Sequence, residues 1–179
     1  FAEVKFLQDF KFTFNVGTGV DGRRHTSMNN MYYGQFATNG GTLYKEHEQK
    51  FYVNLQQLLS YDRTFADVHN LGLLLGHETY RMNNVSVSGY KTNMFSIDNL
   101  ELGGAVIDGQ QAASSRSEYN NEGFFFRAQY DYADRIFLSG SYRLDASSRF
   151  HKDRRWGSFW SFGAGWLINH ESCFDAYWV

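Results

Sequence analysis

The stretch that most constrains the fold runs from Phe124 to Ile168, FFFRAQYDYADRIFLSGSYRLDASSRFHKDRRWGSFWSFGAGWLI. Residue character alternates along it. Phe124, Phe126, Ala128, Tyr130 and Tyr132 form one apolar row, opposed by Phe125, Arg127, Gln129 and Asp131. After a turn at Ala133–Asp134, a second row follows: Ile136, Leu138, Gly140, Tyr142, Leu144 and Ala146, with Phe137, Ser139, Ser141, Arg143 and Asp145 behind it. Beyond a polar loop, Trp156, Trp160, Phe162, Ala164, Trp166 and Ile168 form a third row over Gly157, Ser161, Gly163 and Gly165. A period of two predicts strands with one apolar and one polar face.

Alternation alone does not choose the solvent, because a soluble sandwich alternates in the same way. Three features together point to an up-and-down membrane barrel. The strands are roughly ten residues long, aromatics gather near strand ends, and very short turns alternate with long loops. No run of 18 apolar residues occurs, which rules out a transmembrane helix but not barrel strands.

Composition narrows the classes further. The chain has 179 residues, enough for one domain. Net charge is −2 and the pI about 6.3, so there is no electrostatic case for nucleic acid. Aromatics make up 18% and proline is absent. The single cysteine, Cys173, can form no internal disulfide and reads as a small packed residue. The chain opens at Phe1 and closes inside strand-like text, which reads as a piece of something larger.

In order, Ala2–Phe6 reads as the tail of a strand and Leu7–Asp9 as a tight turn. Phe10, Phe12, Phe14 and Val16 mark the next strand. Gly17 to Thr42 reads as a long loop. Lys50–Tyr61 reads as a strand beginning near Leu43; QQLL favours a helix locally, but the period of two tips it to β. Asp62–Val68 is a short turn and Asn70–Arg81 a strand. Asn83–Ser117 reads as a second long polar loop. After Ile168, a turn is expected at Asn169–Ser172 and a strand from Phe174 to Val179. In a barrel of this kind the long loops are extracellular and the short turns periplasmic.

The run from Gly123 to Glu171 resembles the barrel of SusC/RagA-family TonB-dependent outer-membrane transporters. The likeness is carried by Tyr130–Tyr132, Asp145, Ser147–Phe150, Arg155–Gly157, Phe159, Ser161, Gly165–Trp166, Ile168 and Glu171. Gln56–Ser60 and Gly76–Tyr80 (GHETY) add to it. Leu144, Ala146 and Trp160 depart from the family's usual Arg, Gly and Pro. The resemblance implies a barrel of about 22 strands with a plugged lumen, of which this chain would be about a third. Residues 1–179 would then be part of the barrel domain, with the plug and the TonB-binding segment elsewhere. It also implies a SusD-like surface lipoprotein partner, energy from the TonB complex, and a large glycan or peptide as substrate.

Each candidate site has a plainer role beside the functional one. Tyr32, Tyr33, Phe36, Tyr90 and Phe95 fall in the expected loops and are candidates to grip a ligand, or else to pack loop on loop or against the lipoprotein lid. Arg127, Gln129, Asp131, Arg143 and Asp145 would face the lumen, contacting the plug or lining a solute path, or else simply solvating a wet interior. Trp156, Trp160 and Trp166 read as membrane-interface anchors. Asp145, Arg149, Asp153, Arg154 and Arg155 read as a salt-bridged rim rather than a carboxylate site. The six histidines have no metal-ligand spacing, and no nucleophile elbow or phosphate loop occurs. No catalytic residue, metal or cofactor is expected.

Overall fold

The computed structural model describes residues 1–168, apart from the side chains of 108–111. It holds seven strands: β1 (Ala2–Phe6), β2 (Phe10–Asn29), β3 (Thr42–Phe65), β4 (His69–Met94), β5 (Ala105–Tyr132), β6 (Ile136–Ser147) and β7 (Trp156–Trp166). They form one antiparallel sheet in the order β1-β2-β3-β4-β5-β6-β7, each strand beside its sequence neighbour. That is the up-and-down topology expected from the sequence. Among the described residues no second sheet lies over the first, so the sandwich alternative has nothing to rest on. Single 3-10 turns sit at Ala37–Asn39, Leu102–Gly104 and Lys152–Arg154. No helix is long and apolar enough to cross a membrane, which says nothing of a β-barrel.

The chain divides into two compact units. The first comprises Phe1–Gly17, Val53–Arg81 and the described residues from Tyr119 on. Its register puts the apolar rows on one face. Phe6 lies opposite Phe10, and Val4 opposite Phe12. Phe126 lies opposite Tyr142, and Tyr142 opposite Trp160; Tyr132, Ile136 and Trp166 align in the same way. The other face carries Arg127 beside Ser141 and Gln129 beside Ser139. The three short turns lie where the sequence predicts them. Each has two consecutive residues in the left-handed region: Leu7–Gln8, Ala66–Asp67 and Ala133–Asp134, with φ between 48° and 60°. Two positive φ values match the twist of the flanking strands in a tight hairpin.

The second unit comprises Thr18–Tyr52 and Met82–Glu118. Its core is small: Leu43, Met94 and Ala105 are buried, with Met31 and Leu102 packed against them. Gly40 and Gly41 close the segment of residues 30–41, both with positive φ. Their carbonyls accept from the amides of Met94 and Asn93 at 2.8 and 3.3 Å.

Here the structure corrects the sequence reading. The loops expected at Gly17–Thr42 and Asn83–Ser117 are mostly strand. β2 continues to Asn29, β4 to Met94, and β5 begins at Ala105. Only residues 30–41 and 95–104 remain as connections. β3 likewise runs on to Phe65, so the turn after it shrinks to residues 66–68. The physical reason is solvation. A strand wet on both faces needs no apolar row, so the period-two test has nothing to detect. Val85 and Val87 do alternate with Ser86 and Ser88, yet both valines are exposed. The turn expected at Asn169–Ser172 and the strand from Phe174 lie outside the described residues, as does Cys173.

Candidate functional site

The polar face of the first unit gathers most of the candidate side chains. Near the short turns a hydrogen-bonded chain crosses three strands. Thr64 Oγ1 donates to Asn70 Oδ1 at 2.7 Å, and Asn70 Nδ2 donates to Asp131 Oδ1 at 2.9 Å. The Asp134 amide donates to the same oxygen, tying the β5–β6 turn to the network. Asp131 Oδ2 is buried without a partner among the described residues. This network borders an open cavity of about 980 Å³, lined also by Asp62, Gln129 and Ser139.

Farther along the same face, Arg143 is held from two sides. Its Nε donates to both Asp145 oxygens at 2.8 Å, and Glu78 lies 3.7 Å from a terminal nitrogen. Its guanidinium carbon stands 5.4 Å from the centre of the Phe125 ring. Arg143 and Asp145 thus neutralise one another. The register sets Arg127, Gln129, Asp131, Arg143 and Asp145 on one face, as the alternation predicts. The expected rim is only partly ion-paired: Asp153 meets His151 at 3.4 Å, while Arg149 stacks over Tyr119 and Arg155 donates to the Phe150 carbonyl.

The apolar face is bordered by two groups of rings. Beside the short turns, Phe6 stacks on Phe10, Phe10 meets Tyr61, and His69 packs against Tyr130 and Tyr132. At the other end, His77 stacks on Phe124 at 4.5 Å and Phe124 on Trp156 at 6.1 Å. Trp166 falls at the first end and Trp156 at the second, with Trp160 between them. All three indoles are exposed, Trp160 by 72%. From Trp156 to Trp166 the strand rises roughly 33 Å, which a tilt of about 45° reduces to roughly 24 Å. That matches the height of the apolar band between the aromatic girdles of outer-membrane barrels, about 25 Å. The sequence reading treated His69 and His77 only as histidines without a metal. Their place among the rings was signalled by position alone: each continues the odd-numbered row of β4 that carries Leu71, Leu73 and Leu75.

The five aromatic ligand candidates all lie in the second unit. Tyr32, Tyr33 and Phe95 are about 70% exposed, at 69%, 72% and 71%. Phe36 is half-buried where the 3-10 turn begins, and its carbonyl accepts from the Gly41 amide. Tyr90 is not in a loop but within β4. Met31 and Leu102, one from each connecting segment, pack against the small core of Leu43, Met94 and Ala105. In the same unit, Asn84 donates to Glu48 at 2.8 Å and holds that carboxyl below its usual range. Among the described residues no group of three or more His, Cys, Asp or Glu could hold a metal ion.

The geometry is that of a barrel wall, and comparison with known proteins agrees. The family model of TonB dependent receptor-like β-barrels matches residues 3–174. The chain belongs to this family. TonB-dependent receptor P3 of Formosa agariphila is 30% identical over 137 residues, which is 74% of this chain and 13% of that protein. TonB-dependent receptor SusC of Bacteroides thetaiotaomicron is 27% identical over 173 residues, 93% of this chain and 16% of that protein. The chain therefore spans about a seventh of the curated relatives it matches. Among solved structures, the RagAB peptide transporter superposes with a TM-score of 0.83 at 18% identity, over 93% of this chain and 19% of that one. The "closed-closed" state of the RagAB peptide importer gives 0.84 at 17%, over 97% and 20%. At such identities the likeness is one of fold. The SusC/RagA resemblance read from the SSRF and RWG strings is thereby supported.

Proposed function

We propose that this chain is part of the β-barrel wall of an outer-membrane, TonB-dependent transporter that imports a large nutrient, a glycan or a peptide, together with a SusD-like surface lipoprotein. One observation carries the reading. In the first unit the apolar face has no covering layer among the described residues, and aromatic rings border it at both ends. In water a one-layer sheet with such a face is not a stable solution, because the apolar side must be buried against something. Lipid is the partner that fits a face of this height. The polar face, with Asp131, Gln129 and Arg127, then looks into the lumen, and the three Trp side chains anchor the wall at and between the girdles. The exposed rings Tyr32, Tyr33 and Phe95 lie in the connections of the second unit and are the candidates to meet an incoming substrate or lid. Family membership supports the transport reading, and the names SusC and RagAB among the similar proteins support a lipoprotein-assisted variant.

The test is fractionation of the native gene product. The reading expects a protein that needs detergent, sits in the outer-membrane fraction, runs at several times the 20.8 kDa of this chain, and co-purifies with a lipoprotein. A water-soluble protein of 20.8 kDa would overturn it.

A further inference from the structure

At the end of the first unit away from the short turns, the polar face hollows into a cleft of about 730 Å³. Three observations there point to a ligand. The first is a pre-built wall. Tyr80 and Tyr119 meet edge to face at 6.1 Å, and the Arg149 guanidinium carbon lies 4.7 Å from the centre of the Tyr119 ring. The β6–β7 loop that carries Arg149 is tied to β5 in both directions: the Ser148 amide donates to the Asn120 carbonyl at 2.9 Å, and the Asn120 amide to Ser148 Oγ at 3.0 Å. Arg155 braces the same loop by donating to the Phe150 carbonyl at 3.1 Å.

The second observation is charge. Arg143, Arg149, Arg154 and Arg155 line the cleft against Glu78 and Asp145, while the Glu122 side chain turns to the apolar face. Arg143 is paired with Asp145 and Glu78, and Glu122 with His77. Among the described residues, no carboxylate pairs with Arg149, Arg154 or Arg155. The cleft thus carries guanidinium charge that its own acids do not balance. The third observation is an orphan acceptor. Asn121 Oδ1 is buried in the cleft lining without a hydrogen-bond partner among the described residues.

An anion, an aromatic stacking face and a donor to the amide are what this set can recognise together. Guanidinium groups bind carboxylate and sulfate with paired, charge-assisted bonds. Tyrosine rings accept the C–H face of a sugar, and the amide oxygen accepts from a hydroxyl. An extended peptide would instead call for free main-chain groups, and the strands flooring the cleft spend theirs on the ladder, as between Gly123, Asp145 and Gly157. From this juxtaposition we infer that the cleft is a subsite for an acidic sugar unit, a uronate, of an oligosaccharide substrate. The inference rests on the transporter reading and selects the glycan branch of it.

The experiment uses the intact native protein with its lipoprotein, in detergent. Uronic acid tetrasaccharides (galacturonate, glucuronate and mannuronate) are titrated beside their carboxyl-reduced counterparts. At least one acid is expected to bind about tenfold more tightly than its reduced form. Arg149→Gln with Arg155→Gln is expected to erase that gap. Heat-modifiable migration on a gel controls for folding, and Arg149→Lys with Arg155→Lys is a second variant expected to keep part of the preference. Equal binding of acid and reduced sugar, an acid preference that survives the double Gln substitution, or competition by a peptide carboxylate would each overturn the subsite. Those results leave the transporter reading standing. Absence of the protein from the outer membrane would overturn both.

Discussion

At the residue scale, the sheet depends on side chains that lie flat across glycines. A Cβ built on Gly76 would collide with the Phe125 ring, and one on Gly19 with the Tyr52 ring. Each ring occupies the space its neighbour leaves open, an arrangement that covers the glycine backbone and pins the register. Gly76→Val is therefore expected to destabilise the barrel by about 1–3 kcal/mol, the usual cost of overpacking. Unfolding by urea in lipid vesicles measures this, and adding Phe125→Ala is expected to recover part of the loss. An unchanged midpoint would mean that the ring moves aside freely. The GHETY string is legible as familial, but the Gly76–Phe125 contact is not, because it joins residues on different strands through a register that no local pattern encodes. Arg149 on Tyr119 escaped the sequence reading for the same reason. The turns are the opposite case. The turn at Ala133–Asp134 is legible because the alternating rows stop on either side of it, and the Asp62–Val68 span expected from the sequence contains the tighter turn at Ala66–Asp67.

At the scale of the element, the alternation in β5, β6 and β7 was readable because two solvents act on it. Each apolar row faces one environment and each polar row another, so the composition of every second position is constrained. The portions of β2, β4 and β5 in the second unit lack that constraint, so by pattern alone they look like loops. Their lengths, 20, 26 and 28 residues, are about two to three times the 9–11 that a tilted strand needs to cross a bilayer. β7, at 11 residues, is a crossing strand and little more. Its faces yield a sharp prediction. Phe162 is 81% exposed and lies near the middle of the stretch from Trp156 to Trp166. If its face meets lipid, Phe162→Arg costs about 2–4 kcal/mol at the bilayer midplane. Ser161→Arg, one residue away on the face that meets Ser141, is expected to cost much less. Equal costs, measured by vesicle unfolding, would contradict the assignment of faces.

At the scale of the whole molecule, the proposed function comes down to one assignment: in the first unit, lipid meets the Trp face and the lumen meets the Arg face. The buried apolar side chains among the described residues belong to the second unit, and the first unit has rings at its borders in place of a core. The most direct test is a spin-label scan along residues 156–166 of the intact protein in lipid vesicles, with its native cysteines replaced by serine. Collisions with oxygen report lipid exposure, and collisions with a water-soluble nickel complex report aqueous exposure. The account predicts that the two signals alternate with a period of two, oxygen high at 158, 160, 162 and 164 and nickel high at 159, 161 and 163. The oxygen signal is expected to peak near residue 162. Uniform aqueous exposure along the strand, or alternation of the opposite phase, would contradict it.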